Sequence, residues 1–207
     1  MVKVKICGIT DATDARFAAA AGADALGFVF VRGTPRFITP EKALPIIMDL
    51  PPLVQSVGVF MDAEASVVRE MADFCGLDYV QLHGHESPAT CEKLRALKVI
   101  KAFRIRSARD IKELDHYRVD AYLLDTHVPG VPGGTGECFD WEIARSGAAL
   151  GKAIVLAGGL KPENVAEAVR AARPVAVDTS SGVEESPGKK SKGLVETFIR
   201  IAKAVDL

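Results

Sequence analysis

The chain has 207 residues with 26 basic and 27 acidic side chains and a net charge of −1, so its length suits one domain with a sizeable core. The near-neutral charge gives no broad field to hold a nucleic acid or an anionic membrane, and we expect neither as a partner. Any anionic ligand must therefore be bound locally. Residues 1–5 alternate apolar and polar types, and no later run reaches about 18 apolar residues, which predicts a cytoplasmic location.

Eight short β-branched runs alternate with longer Ala-, Leu- and Glu-rich stretches, the pattern of a parallel α/β fold. The predicted strands cover 2–6, 25–30, 54–60, 79–82, 99–103, 121–124, 153–156 and 175–177. The predicted helices cover 12–21, 40–49, 63–75, 88–96, 108–116, 140–147, 162–172 and 191–205. An open doubly wound sheet is the alternative, but repeats at nearly even spacing close more naturally into a single-domain (β/α)8 TIM barrel over 1–207.

Capping residues and one long loop add detail to this pattern. Asp11 or Thr13 is expected to open the first helix, Pro162 marks the start of the seventh, and Gly76 ends the third. The longest irregular connection covers 129–136 and holds four glycines and two prolines. Its composition and length are typical of a mobile loop over a site.

The sequence offers little to hold a metal or form a disulfide. The cysteines show no Cys-x-x-Cys spacing, which argues against a zinc site or a disulfide framework: they are Cys7, Cys75, Cys91 and Cys138. His83, His85 and Glu86 are clustered, but no further partner lies at a recognisable spacing. We therefore expect no metal.

Polar side chains are expected on the inner face of the barrel at the carboxyl ends of four strands. Side chains alternate across a strand, so the apolar residues that face the helices leave Cys7, His83, Asp125 and Asp178 pointing inward. Barrel enzymes keep their active sites at this rim. We predict Cys7 and Asp125 to be catalytic and His83 and Asp178 to contact substrate. The alternatives are an ordinary hydrogen-bonded rim histidine at His83 and a turn cap at Asp178.

Two loops rich in small residues indicate a phosphate site. Gly158 and Gly159 follow the seventh strand, and Ser180, Ser181 and Gly182 follow the eighth. Glycines let backbone N–H groups approach an anion closely, and helix amino termini favour negative charge. Barrel phosphate sites often form from these same two loops. Ordinary turn glycines are the alternative, which their occurrence in both loops disfavours.

An ordered set of motifs along nearly the whole chain resembles the phosphoribosylanthranilate isomerase family. The motifs are KICGIT at 5–10, GFVF at 27–30 with Pro35-Arg36, VQLHG at 80–84, Leu124-Asp125 with GGTG at 133–136 and FDW at 139–141, LAGGL at 156–160, and VDTSSGVE at 177–184. Thr34 stands where the family often has Ser, and Thr179 where Val is usual. Neither departure removes a polar group that the chemistry needs.

The resemblance implies an aldose–ketose isomerase of tryptophan biosynthesis that needs no cofactor. Its reaction is the Amadori rearrangement of N-(5-phosphoribosyl)anthranilate to 1-(2-carboxyphenylamino)-1-deoxyribulose 5-phosphate, a small phosphorylated ligand. By resemblance Asp125 is the general acid that opens the ribose ring, and Cys7 is the general base at C2. Arg36 resembles the residue that binds the substrate carboxylate. The nearby cation Lys5 can assist ionisation of the thiol.

The sequence is also compatible with two other functions. Another phosphosugar-processing TIM barrel is possible: by resemblance, indole-glycerol-phosphate synthase would need a lysine acid, and the histidine-pathway isomerase a pair of aspartates. Cys7 with Asp125 fits neither pattern. A phosphate-binding barrel that has lost catalysis is a second alternative, which an intact Cys7 and Asp125 oppose. The sequence leaves open whether the protein is a monomer or a homodimer.

Overall fold

The computed structural model describes residues 1–105, 107, 109–125, 141–149 and 151–206. Its main sheet is a closed barrel of eight parallel strands in sequential order, with β8 pairing back onto β1. The strands are β1 Lys3–Cys7, β2 Ala25–Val29, β3 Gln55–Phe60, β4 Tyr79–Leu82, β5 Val99–Arg104, β6 Ala121–Asp125, β7 Ile154–Ala157 and β8 Ala176–Thr179. The predicted (β/α)8 TIM barrel is confirmed.

Helical segments alternate with the strands of the barrel. They are α1 Ala12–Ala20, α2 Pro40–Met48, α3 Ala65–Cys75, α4 Pro88–Lys93, a 3₁₀ helix Asp110–His116, α5 Trp141–Ala149, α6 Val165–Ala172 and α7 Lys192–Lys203. Asp11, rather than Thr13, caps α1, because its carboxylate accepts hydrogen bonds from the backbone N–H groups of Thr13 and Asp14. Gly76 ends α3 in the left-handed conformation at φ 64°, as predicted. Within the described ranges, no helix is long and apolar enough to cross a membrane.

Three predicted helices differ from the structure in type or by three residues at one end. The fourth ends at Lys93 and not at residue 96. The fifth is a 3₁₀ helix, in which the buried side chains of Ile111 and Leu114 recur at the three-residue spacing of that helix type. The seventh predicted helix is α6, and it begins at Val165 and not at Pro162. The side chain of Asn164 accepts a hydrogen bond from Lys161 N and donates one to Gly159 O, so a turn precedes the helix.

Alternating side chains divide the core into two layers. The barrel interior is packed by a cluster of Val57, Ile100, Ala102, Leu123, Val155 and Ala157. Residues of opposite parity, such as Val4, Ile6 and Val80, pack instead against the helices. The parity predicted from the sequence is therefore confirmed, and it leaves the upper inward positions for polar side chains.

A small hairpin that the sequence analysis did not predict follows the eighth strand. A single 3₁₀ turn, Ser181–Val183, leads into β9 Glu184–Ser186, which pairs antiparallel with β10 Lys189–Lys190. Pro187-Gly188 forms the turn, with Gly188 at φ 84°. A Cβ atom at Gly188 would lie 2.4 Å from Pro35 O, so the hairpin packs closely against the loop that carries Arg36.

Candidate active site

A cavity of about 400 Å³ opens at the carboxyl ends of the barrel strands. Every residue that the sequence analysis assigned to the site lines it: Cys7, Arg36, His83, Asp125, Gly158, Gly159, Asp178, Ser180, Ser181 and Gly182. Val29, Val31, Val59 and Met61 form an apolar part of its wall. The structure brings the predicted residues together in one space, and the chemical role of each stays a prediction.

Cys7 shares the inner face of β1 with a buried lysine. Lys5 Nζ lies 2.8 Å from Asp178 Oδ1, and the two side chains are only 4% and 9% exposed. Lys5 and Asp178 are neighbours across the seam where β8 closes the barrel onto β1. A Cβ atom at Gly27 would lie 2.7 Å from Cys7 Sγ and 3.1 Å from Lys5 Nζ, so this glycine leaves room for both groups.

Burial and charge act in opposite directions on the Cys7 thiol. Burial raises its pKa, and the Lys5 ammonium partly offsets that rise because it favours the thiolate. For Lys5, burial lowers the pKa, but the charge of Asp178 and the contact with Cys7 outweigh it and bring the value to about 12. Lys5 is therefore a permanent cation beside the sulfur at neutral pH.

A chain of close polar contacts connects Gln81, His83 and Asp125. His83 Nε2 lies 3.4 Å from Asp125 Oδ2, and the Gln81 side-chain nitrogen lies 2.9 Å from His83 Nδ1. With Gln81 donating, Nδ1 is the acceptor, and Nε2 carries the proton of the neutral ring and faces Asp125. Gln81 Oε1 is buried and has no hydrogen-bond partner among the described residues, so it is an acceptor for a bound hydroxyl or water.

The two predicted phosphate loops pack against each other. Gly158 and Gly159 have φ angles of 92° and 66°, in the region that favours glycine. A Cβ atom at Gly182 would lie 2.0 Å from Leu160 O, so only glycine fits there. The Thr179 hydroxyl donates to Leu160 O at 2.7 Å and joins the loops. Residues of both loops thus line the cavity.

Arg36 at the cavity wall is held by a carboxylate that the sequence analysis did not assign to the site. Arg36 Nε and Nη2 donate to the two oxygens of Glu184 at 2.8 and 2.7 Å. Lys190 Nζ also donates to Glu184, at 2.7 Å. Glu184 stands in the VDTSSGVE motif, but nothing local in the sequence marks it as a partner of an arginine 148 residues away.

Two further expectations concern the loop at 129–136 and the absence of a metal site. The loop at 129–136 lies outside the described residues. Across the described ranges, no group of three or more His, Cys, Asp and Glu side chains could hold a metal ion. In the His83, His85, Glu86 cluster, the Glu86 carboxylate is paired with buried Lys101 at 3.0 Å and accepts from Asp62 N and Gly84 N.

Sequence comparison identifies relatives over nearly the full length of the chain. A family model described as N-(5'phosphoribosyl)anthranilate (PRA) isomerase matches residues 4–201. A relative named N-(5'-phosphoribosyl)anthranilate isomerase, from Geobacter sp. (strain M21), is 57% identical over 203 residues, which cover 98% of each chain. A relative of the same name from Moorella thermoacetica is 47% identical over 207 residues, which cover all of this chain and 92% of the relative.

Solved structures agree with the sequence relatives. The crystal structure of phosphoribosyl anthranilate isomerase from Thermotoga maritima matches with a TM-score of 0.93 at 45% identity, covering 99% of this chain and 100% of that one. A structure of the isomerase in complex with reduced 1-(o-carboxyphenylamino)-1-deoxyribulose 5-phosphate matches with a TM-score of 0.90 at 43% identity and the same coverage. The resemblance carried by the motifs is confirmed, and the chain belongs to the N-(5'-phosphoribosyl)anthranilate isomerase family.

Proposed function

We propose that Cys7 is the general base and Asp125 the general acid with which this isomerase of tryptophan biosynthesis acts. The reaction is the Amadori rearrangement of N-(5-phosphoribosyl)anthranilate to 1-(2-carboxyphenylamino)-1-deoxyribulose 5-phosphate. The observation that carries the proposal is that one cavity is lined by a thiol beside a fixed cation, a carboxyl group beside a histidine, and two glycine-rich loops. These groups supply a base, an acid and an anion site in one space.

Asp125 opens the ribose ring. It donates a proton to the ring oxygen, the bond from C1 to that oxygen breaks, and the nitrogen lone pair forms the C1=N bond of a Schiff base. His83, whose Nε2 lies 3.4 Å from Asp125 Oδ2, orients the carboxyl group. The Gln81 contact to Nδ1 at 2.9 Å in turn fixes the histidine ring.

Cys7 then removes the proton from C2. The thiolate takes the proton, the C2–H electron pair forms C1=C2, and the C1=N pair returns to nitrogen, which gives an enolamine. Tautomerisation places a proton on C1 and leaves a ketone at C2. Carbon deprotonation needs a base of higher proton affinity than a carboxylate, which a buried thiolate provides. Lys5 favours that thiolate, because its charge opposes the effect of burial on the Cys7 pKa.

The two ends of the substrate carry the charges that fix its position. The phosphate binds to backbone N–H groups of the loops at Gly158, Gly159, Ser180, Ser181 and Gly182, where close backbone approach is possible. The anthranilate carboxylate binds Arg36, whose guanidinium has three N–H groups left after the pair to Glu184. The aromatic ring fits the apolar wall that includes Val29 and Val59. Asp178, already paired with Lys5, contributes mainly by holding that lysine.

We also propose the oligomeric state, the partners and the location of the protein. The T. maritima isomerase is described as dimeric in one of the matching structures, and a monomer or a homodimer is compatible with this chain. The partner is a small phosphorylated molecule, and the net charge of −1 argues against a nucleic acid or a membrane surface. The cytoplasmic location, the assignment of 1–207 to one domain and the absence of a cofactor stay predictions.

Carbon NMR on the purified protein tests the activity. Substrate labelled with ¹³C at C2 of the ribose is generated in situ, because it is labile, and its conversion is followed without any added metal or cofactor. We expect a ketone carbon signal that appears only with the protein present. Spontaneous loss of anthranilate alone, with tight binding of a phosphate analogue, would instead indicate a barrel that binds phosphate without catalysis.

A further inference from the structure

Glu184 binds the guanidinium of Arg36 along one edge, in two parallel hydrogen bonds. Nε donates to one carboxylate oxygen at 2.8 Å and Nη2 to the other at 2.7 Å. This arrangement fixes the plane of the guanidinium and not only its position. The Arg36 side chain is still 26% exposed, whereas that of Glu184 is 5% exposed. Arg36 therefore faces the cavity, while the carboxylate of Glu184 that holds it is buried.

The charges around Glu184 leave a net positive site. Glu184 lies between Arg36 and Lys190, whose side chain is fully buried, with contacts of 2.7 Å to each. Burial acts to raise the Glu184 pKa, but hydrogen bonds from Arg36 and Lys190 bring it below the ordinary value, so the group stays ionised. Burial lowers the Lys190 pKa, and the hydrogen bond and charge of Glu184 oppose that effect. With Lys190 protonated, two cations and one anion make a cluster of charge +1. A substrate carboxylate at Arg36 makes that cluster neutral.

The support for Arg36 is connected to the other parts of the site. Lys190 Nζ also donates to Ser180 O at 3.3 Å, and the Ser180 hydroxyl donates to Cys7 O at 3.0 Å. A Cβ atom at Gly8 would lie 2.6 Å from Arg36 Cδ, so the arginine side chain lies directly over the backbone next to Cys7. Residues 180–184 thus run from the predicted phosphate loop to the carboxylate that holds Arg36.

We propose that Glu184 is a positioning residue for substrate recognition: it fixes the guanidinium of Arg36 so that its remaining N–H groups meet the carboxylate of the substrate. This proposal rests on the proposed function, in which Arg36 binds that carboxylate. The continuous segment 180–184 then sets the spacing between the phosphate and carboxylate ends of the substrate. Lys190 acts through Glu184 by keeping it ionised and in place.

Glu184→Gln tests the proposal because positioning and simple charge predict opposite results. The amide keeps the size of the side chain but places an NH2 group against an N–H donor of Arg36, so only one of the two paired hydrogen bonds can form and the plane of the guanidinium is no longer fixed. If Glu184 positions Arg36, KM for phosphoribosylanthranilate rises about tenfold or more, and kcat falls by less than about threefold. If only net charge matters, the variant has one more positive charge near the substrate and KM falls.

Matched controls separate positioning from folding. Glu185→Gln changes the neighbouring carboxylate of β9, which is 51% exposed and pairs with surface Lys189, and it should leave KM unchanged. Inhibition by inorganic phosphate should stay within about twofold of wild type in Glu184→Gln, since that probe needs only the loops. If the Gln variant does not fold, Glu184→Asp keeps the charge, shortens the support and should also raise KM. An unchanged or lower KM in the folded variant overturns the proposal.

A substrate without the carboxylate distinguishes failure of this proposal from failure of the proposed function. N-(5-phosphoribosyl)aniline lacks the carboxylate, so Glu184→Gln and Arg36→Met should lower its kcat/KM much less than that of the carboxylated substrate. If Arg36→Met lowers kcat/KM equally for both compounds, Arg36 does not bind the carboxylate and the proposed function is wrong in that assignment. If Arg36→Met is selective for the carboxylated substrate but Glu184→Gln is not, only the role of Glu184 is wrong.

Discussion

Replacing Lys5 with methionine should impair both stability and catalysis, because the ammonium has two partners. Methionine preserves most of the length of the side chain and removes its charge. Asp178 then stays in a buried position, 9% exposed, without the cation that lies 2.8 Å from it. Cys7 loses the cation that opposes the effect of burial on its pKa.

The loss of stability follows from the pKa of Lys5. A rise from 10.5 to about 12 corresponds to about 2 kcal/mol in favour of the charged form in the folded protein. Because the folded pKa is the higher one, this stabilisation is present at neutral pH and is lost as the pH rises from about 10.5 through 12. Leaving one partner of a buried pair alone costs about 3–5 kcal/mol. We expect Lys5→Met to lower the free energy of unfolding by roughly 2–5 kcal/mol.

The loss of activity follows from the direction of the Cys7 shift. Removing the Lys5 cation raises the thiol pKa further, because the thiolate loses the charge that favours it while burial still disfavours it. The acid limb of kcat/KM against pH should therefore move to higher pH, and activity at pH 7 should fall about 10- to 100-fold. Above the new pKa, activity should return toward that of the wild type.

The assay is a pH profile of kcat/KM together with urea unfolding of each variant. Lys3→Met is the matched control: the same change on the same strand, at an exposed side chain. The double variant Lys5→Met with Asp178→Asn should recover stability, because no buried charge is left alone, while its acid limb stays above that of the wild type. An acid limb in Lys5→Met at the wild-type pH would refute the electrostatic role assigned to Lys5.

Two other predictions concern substrate binding. Arg36→Met should weaken binding of phosphoribosylanthranilate by about 2–4 kcal/mol, seen as a larger change in KM than in kcat; an unchanged KM would place the anthranilate ring elsewhere. In a crystal soaked with the reduced product analogue, the phosphate should lie against backbone N–H groups near Gly159 and Ser181. Phosphate held only by Lys or Arg side chains away from these loops would contradict that site.

The barrel and the inner face of its rim were predictable because both follow from local pattern. Side-chain parity along β1 places Cys7 inside the barrel, and the same count places Asp125 inside from β6. Helix ends were less predictable where a side chain competes for backbone hydrogen bonds, as Asn164 does before α6. To predict the 3₁₀ helix, the three-residue spacing of Ile111 and Leu114 has to be recognised. That spacing is overlooked when the same segment is taken as an α-helix.

The support around Arg36 was not predictable because it depends on contacts between distant parts of the chain. Glu184 is 148 residues from Arg36 in sequence, and the pair forms only when the barrel closes and the hairpin folds over it. Pro187-Gly188 was a local turn signal that could have indicated the hairpin. The two strands of the hairpin, β9 and β10, are only three and two residues long, which is too short for a recognisable strand pattern.

Turnover by Cys7→Ala, compared with wild type, tests whether Cys7 is the base that removes the C2 proton. The variant is assayed by coupled fluorescence with phosphoribosylanthranilate generated in situ, and its affinity for the reduced product analogue is measured in parallel. We expect turnover to be abolished while the analogue still binds within about threefold of wild type, because only the group that takes the C2 proton has been removed. Turnover at the wild-type rate in the folded Cys7→Ala protein would show that another group removes the C2 proton and that Cys7 is not the base.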